Sequence, residues 1–288
     1  MVSIPPTVTA IIPTYNWCSV LPHAIGSVLG QTFTDFELLV IGDGCTDESE
    51  SVVKSVADPR VRWVGLPVNT GHQSGPNNEG LRQARGHLIA YLGHDDLWMP
   101  HHLECLVAAI RAGADLAYGI TAMIGPEGRY AEMMPLGSRY RPGDWLPPSC
   151  VVHRREVTEA VGGWRHSRDL DTDPERELWN RAHVAGYRMS FVARLTMVKF
   201  PALWRRNAYR ARPCHEQAAW LQRIRTEPGI ETVELARLRS STQPLPIERL
   251  KRAWRRLAIG SPLLRPRHKG VLHARRRHFK GLDDAGSA

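Results

Sequence analysis

Five short apolar runs, at residues 8–12, 36–41, 61–66, 87–92 and 115–120, set the pattern of the first 120 positions. Short runs of Val, Ile and Leu without polar alternation suit strands buried on both faces. Helical spacing follows most of them. Val20, Leu21, Ala24, Ile25, Val28 and Leu29 recur after the first run, and Val52, Val53 and Val56 after the second. A Gly- and Asn-rich loop leads into Leu81 and Ala84 after the third, and residues 102–112 follow the fourth. This alternation predicts an α/β fold, a doubly wound, mostly parallel sheet with helices on both faces. Ligands of such sheets lie beyond the carboxyl ends of the strands. Tyr15, Asp43, Asn78 and Asp95, far apart in the chain, are therefore expected along one edge. The pattern loosens later, with a Pro/Gly loop at 141–148, a helix from Glu175 to Ala185, and one or two strands within 189–200.

The fourth run ends in Leu92-Gly-His-Asp-Asp96. Adjacent carboxylates just past a buried strand suit a hard divalent cation that shares the oxygens of a diphosphate. Asp is also a preferred helix N-cap, so Asp95 or Asp96 can equally cap the segment that starts near Pro100.

Charge divides the chain. From Ser241 onward there are 12 Lys and Arg against 3 Asp and Glu, which accounts for the whole net charge of +9 and leaves the first 240 residues neutral. A neutral body with a basic tail calls for an anionic partner such as lipid, nucleic acid or an acidic protein surface. Nucleic acid is disfavoured, because the body carries neither a basic stripe nor a recognisable binding module. The cysteines, Cys18, Cys45, Cys105, Cys150 and Cys214, form no C-x-x-C pair, which argues against a disulfide framework or a zinc site and for a reducing cytoplasm. No run is long enough to span a bilayer, and no secretory signal is expected.

Val8-Thr-Ala-Ile-Ile-Pro-Thr-Tyr-Asn16, Gly42-Asp-Gly-Cys-Thr-Asp47, Asn78-Glu-Gly80, Ala84-Arg-Gly86, Tyr91-Leu-Gly-His-Asp-Asp96, Gly162-Gly-Trp164 and Glu175-Arg-Glu-Leu-Trp-Asn-Arg181 occur in the order and spacing of one family. Together they resemble the family 2 glycosyltransferases. That resemblance implies a GT-A fold, with a Rossmann-like nucleotide-sugar-binding half (1–120), an acceptor-binding half (121–210) and a helical, basic C-terminal extension (211–288). It implies inverting transfer from a nucleotide-diphosphate sugar, a UDP-sugar favoured, to a glycan, lipid-linked or small-molecule acceptor. Pro13, Thr14, Tyr15, Asp43, Asn78 and Asp95 match donor-binding positions, and Asp95 and Asp96 match the motif that holds Mn²⁺ or Mg²⁺. Glu175 matches the catalytic base, with Asp173 and Asp171 as rivals. Each has a plainer role as well: Asp43 as an Asx-turn residue, Glu175 as a first-turn acid favoured by the helix dipole. Trp145 and Trp164 are acceptor-stacking candidates, Trp179 is expected in the core, and His153 has a cleft-facing and a core reading.

The chain also departs from the family. Gly42 and Gly93 stand where acidic residues are usual, Asn77 replaces an Arg, and Glu175 follows Pro174 where the base is commonly an Asp. These changes keep open a second reading, a weakened relative that binds nucleotide or polyanion without transferring sugar. In the tail, Leu250, Trp254, Leu257 and Ala258 share one helical face opposite Lys251, Arg252, Arg255 and Arg256, the pattern of a helix lying on an anionic membrane. Peripheral attachment at the inner face of the membrane is the corresponding expectation. Residues 265–280 read as a flexible polybasic stretch.

Overall fold

The computed structural model describes residues 4–126, 130–134, 139–241 and 277–282. The amphipathic segment 249–259 lies outside them. The first half alternates as its periodicity predicts: β1 (Val8–Thr14), α1 (Leu21–Leu29), β2 (Phe36–Asp43), α2 (Ser49–Lys54), β3 (Val61–Leu66), α3 (Ser74–Gln83) and β4 (Leu88–Tyr91). β2 and β4 are buried along their whole length, and β1 is nearly so, because helices cover both faces. In α1, Leu21, Ala24, Ile25 and Val28 turn one stripe into the core.

After β4 come β5 (Leu97–Trp98), α4 (His102–Arg111), β6 (Leu116–Ile124), β7 (Tyr130–Met134), β8 (Val151–Arg154), α5 (Arg155–Ala160), α6 (Pro174–Val184) and β9 (Met189–Lys199). The region expected to hold one or two strands is a single bent strand, whose pairing with β6 shifts register at Gly119 and Ile120. Three short helices end the described body: α7 (Ala208–Ala211), α8 (His215–Thr226) and α9 (Ile230–Ser241).

The nine strands among the described residues form one sheet, ordered β3-β2-β1-β4-β8-β6-β9-β5, with β7 beside β6. β3, β2, β1, β4, β6 and β9 run one way; β5, β7 and β8 oppose them. Register pairs Thr14 with Gly42 and Ile11 with Tyr91, so β1, β2 and β4 finish side by side and their loops open on one edge.

One core fills the space around β1, β2, β4 and β8. A second joins Leu97, Leu195, Val198 and Phe200 to Trp220, Leu221 and Ile224 of α8 and Leu238 of α9, so these helices share apolar packing with the sheet. His153 takes its core reading: it is fully buried in β8, its Nδ1 2.7 Å from the Arg154 carbonyl and its ring against Tyr91 and Trp179. All five cysteines are free, and no helix among the described residues is long and apolar enough to cross a membrane.

Candidate functional site

A cleft of about 440 Å³ opens at the carboxyl ends of β1, β2 and β4. That volume lies in the range of small-ligand sites. Pro13, Thr14, Tyr15, Asp43, Asp95, Trp145 and Glu175 all line it.

Asp43 ends β2 and is 4% exposed. Its carboxylate accepts the Thr70 N–H at 2.8 Å, and its carbonyl accepts the Asn69 side-chain amide at 3.0 Å. The partner is therefore a distant loop, not the local backbone of an Asx-turn. Burial pushes its pKa up against these hydrogen bonds. Asn16, at φ +43°, braces the neighbouring loop by accepting the Thr46 N–H at 2.7 Å.

Gly42 explains its own departure from the family. A β-carbon there would overlap the six-membered ring of Trp63 on β3, so β2 has no room for an acid at this point. Gly42→Ala is expected to cost about 1–3 kcal/mol in urea denaturation, as overpacking does. Adding Trp63→Ala should abolish most of that increment; a single variant as stable as the parent refutes the account.

The carboxylates after β4 part company. Asp95 is half-buried and lines the cleft. Asp96, expected beside it as a metal ligand, is fully buried behind Ser149 and Lys199, which line the cleft. Its carboxylate accepts from Lys199 Nζ at 2.7 Å, Ser149 Oγ at 2.7 Å and the Phe200 N–H at 3.2 Å. Burial raises the Asp96 carboxyl while Lys199 opposes that rise. Burial also works against the Lys199 ammonium, but Asp96 and Asp95 outweigh it and hold its pKa up. Neither Asp caps α4, whose N-cap is His101. A β-carbon on Gly93 would come within 2.9 Å of Asp96 and 3.1 Å of Asp95, so glycine lets the two carboxylates crowd its backbone. His94 is buried, its Nδ1 2.9 Å from Thr14 Oγ1 and its Nε2 3.3 Å from the Tyr209 hydroxyl. Burial lowers its pKa to about 4, so it is neutral at pH 7.

On the opposite wall, Pro174 starts α6 and Glu175 sits in the first turn. Glu175 is 8% exposed, and its Oε1 accepts the Trp145 indole N–H at 2.6 Å. Gln73 Nε2 stands 3.5 Å from Oε2. Burial, reinforced by the nearby Asp173 charge, raises the Glu175 pKa against the Trp145 hydrogen bond. Asp173 also lines the cleft, whereas Asp171 is exposed and does not line it, although its neighbours Leu170 and Thr172 do.

Two residues expected to contact ligand do not line the cleft. Asn78 points away from the cleft: its amide donates to the Trp164 carbonyl and accepts the Trp164 N–H, both at 2.9 Å. Trp164 itself is 4% exposed and packs edge-on against Tyr91 and Trp179, so no face is left for a sugar. Trp145 is held as a donor to Glu175, and Trp179 is core, as expected. Other residues enter without an expected role in the site. Asn77 is 1% exposed and lines the cleft with no hydrogen-bond partner on either amide atom. Met123, Leu203 and Trp204 add an apolar wall. Asn77 carried a sequence signal, as the replacement of the family's Arg, and Trp204 a weaker one, as an aromatic just after a predicted strand.

Comparison with known proteins identifies the family and the fold. The family model for glycosyl transferase family 2 matches residues 9–210. An uncharacterized glycosyltransferase of Nostoc sp. is 37% identical over 174 residues, 54% of this chain and 52% of the relative. The UDP-Glc:α-D-GlcNAc-diphosphoundecaprenol β-1,3-glucosyltransferase of Escherichia coli is 34% identical over 101 residues, 35% of this chain and 40% of the relative. The chain thus spans about half the length, or less, of these curated relatives. A mannosyltransferase of Pyrobaculum calidifontis, solved in complex with GDP-Man and Mn²⁺, shares the fold with a TM-score of 0.54 at 17% identity, over 99% of this chain and 89% of that one. The motifs run in family order, the sheet has the GT-A arrangement and the matching model covers most of the described body; the chain belongs to glycosyl transferase family 2.

Proposed function

We propose that the protein transfers a sugar from a nucleotide-diphosphate donor, a UDP-sugar favoured, to an acceptor hydroxyl with inversion. The observation that carries this reading is the convergence of Asp43, Asp95 and Glu175 on one cleft from β2, β4 and α6. Asp43, fixed by Thr70, is suited to accept a base N–H, with Thr14 and Tyr15 alongside. The acceptor hydroxyl gives its proton to Glu175 as its oxygen bonds to the anomeric carbon. The bond from that carbon to the diphosphate breaks on the far side, and the electron pair leaves with the nucleoside diphosphate. Trp145 holds Oε1 at 2.6 Å while Gln73 meets Oε2 only at 3.5 Å, so Oε2 is the oxygen better placed to take the proton.

Among the described residues no cluster of three His, Cys, Asp or Glu could hold a metal ion, and Asp95 is the motif carboxylate open to the cleft. That donor set fits Mn²⁺ or Mg²⁺ as an ion that draws most of its ligands from water and the diphosphate. Bound there by Asp95, such an ion supplies charge neutralisation for the leaving group.

The E. coli relative is named for a UDP-Glc donor and an α-D-GlcNAc-diphosphoundecaprenol acceptor. A lipid-linked glycan is accordingly the acceptor class proposed here, and the basic tail suits a peripheral position on the anionic inner face of a membrane.

A thermal-shift series with UDP, GDP, TDP and CDP, each with and without Mn²⁺, tests the donor reading. One nucleotide should raise the melting temperature more with Mn²⁺ than without, and Asp95→Ala should remove the Mn²⁺-dependent part. No shift with any nucleotide refutes nucleotide binding. A shift without turnover on any sugar donor favours the weakened-relative reading, which rests on Gly42 and Gly93.

A further inference from the structure

One short part of the basic C-terminal stretch is seated on the cleft. Residues 277–280 form a helical turn that closes at Gly281, φ +77°, with the Leu282 N–H donating to the Arg277 carbonyl at 2.9 Å. The turn is held at both ends of the opening. On the α7 side, the Asn207 N–H donates to the Phe279 carbonyl at 3.0 Å. Gly281 packs so closely there that a β-carbon would come within 2.9 Å of the Arg210 side chain. On the other side, Arg277 Nη1 donates to the Gly71 carbonyl at 3.0 Å and Nη2 to the Leu282 carbonyl at 2.9 Å. Gly71 lies in the loop whose Thr70 holds Asp43. Lys280 Nζ stands 5.8 Å from the centre of the Tyr209 ring, the same tyrosine that meets His94. Both Arg277 and Lys280 line the cleft.

We propose that Arg277 and Lys280 form the diphosphate-binding side of the donor cleft, a role that rests on the nucleotide-diphosphate reading above. Both hydrogen bonds of the Arg277 guanidinium go to neutral carbonyl oxygens, and no carboxylate among the described residues pairs with it. Its guanidinium keeps its charge and has N–H groups left for phosphate oxygens. Arg277 reaches the loop that holds Asp43, and Lys280 stands by Tyr209, which meets His94 next to Asp95, so a diphosphate whose base meets Asp43 passes within reach of both. The need for them is local. Gly93 removes one acid from the metal motif and Lys199 occupies another, so a bound divalent ion has less protein to hold it. As the bond to the anomeric carbon breaks, the departing diphosphate gains a negative charge, and fixed cations stabilise it where it develops.

Isothermal titration calorimetry on the full chain tests this, with UDP, UMP and uridine and with GDP, GMP and guanosine, in the presence and absence of Mn²⁺. Arg277→Ala/Lys280→Ala should weaken the diphosphate by about 10- to 100-fold, the range of hydrogen bonds to charged groups. The monophosphate should lose less and the nucleoside nothing. Arg277→Lys/Lys280→Arg, which keeps the charges, should retain most of the affinity. Unchanged diphosphate affinity in an alanine variant that melts like the parent overturns the proposal. An equal loss for the nucleoside also overturns it, by marking the turn as a structural clasp. If the parent binds neither diphosphate, the donor reading itself falls and this proposal with it.

Discussion

Glu175→Gln should lower kcat by about 10²- to 10⁴-fold, the usual contribution of a general base, while nucleotide affinity stays within a small factor of the parent. Glutamine keeps an oxygen for the Trp145 indole N–H at Oε1, so the wall of the cleft is preserved and only proton acceptance is lost. The pH profile sharpens the test. Burial and the Asp173 charge raise the Glu175 pKa, so kcat/KM should fall as pH drops through a value above the ordinary glutamate range. The Trp145 N–H favours the charged carboxylate and works against that rise. Trp145→Phe should therefore move the acidic limb to higher pH. If Glu175→Gln keeps near-parent turnover while Asp173→Asn does not, the base is Asp173.

A comparable effect on stability is expected at Lys199. Its ammonium is the counter-charge to Asp96, which is fully buried, and the two lie 2.7 Å apart. Replacing Lys199 by Met leaves a carboxylate in the sheet with only Ser149 and the Phe200 N–H as donors. Removing one member of such a pair typically costs about 3–5 kcal/mol, far more than an exposed ion pair contributes. Urea denaturation at pH 7 measures the loss. The double variant Asp96→Asn/Lys199→Met should recover at least half of it, because the uncompensated charge is gone. Burial already holds the folded-state pKa of Asp96 above its ordinary value, and loss of Lys199 should raise it further. Protonation then offsets the uncompensated charge, and the deficit shrinks as pH falls through the interval between the variant's and the parent's folded-state values. A single variant within about 1 kcal/mol of the parent would show that Asp96 is not held by Lys199 in solution.

The strands that bear the cleft were legible because their signal is local. β1, β2 and β4 are Val/Ile/Leu runs long enough to show burial on both faces, and the residues after them follow by topology alone. β5 and β8 were not legible. Leu97–Trp98 and Val151–Arg154 are too short for any period to register, and they are strands because β9, β4 and β6 offer hydrogen-bond partners. The same division runs through the site. Asp43 and Glu175 end or start predicted elements, so position along the chain brings them to the edge. Asp95 and Asp96 are adjacent and chemically identical, and nothing local tells which one meets the cleft. Asn78 and Trp164 carry the family's spacing, yet they bind each other.

By itself, then, the chain's periodicity determined a doubly wound sheet and the edge at which its loops collect, because alternation of buried runs and helices admits few topologies. Its motif order determined the family. The tertiary structure decided which polar groups remain for a ligand. Lys199, more than a hundred residues away, claims Asp96; Trp63 excludes an acid at position 42; and Arg277, read in sequence as part of a loose polybasic tail, is brought back to the cleft by hydrogen bonds to Gly71 and Leu282. The physical reason is common to all three. A polar side chain's role depends on which partners already satisfy its hydrogen bonds and charge, and those partners are assembled by long-range contacts to which local sequence is blind.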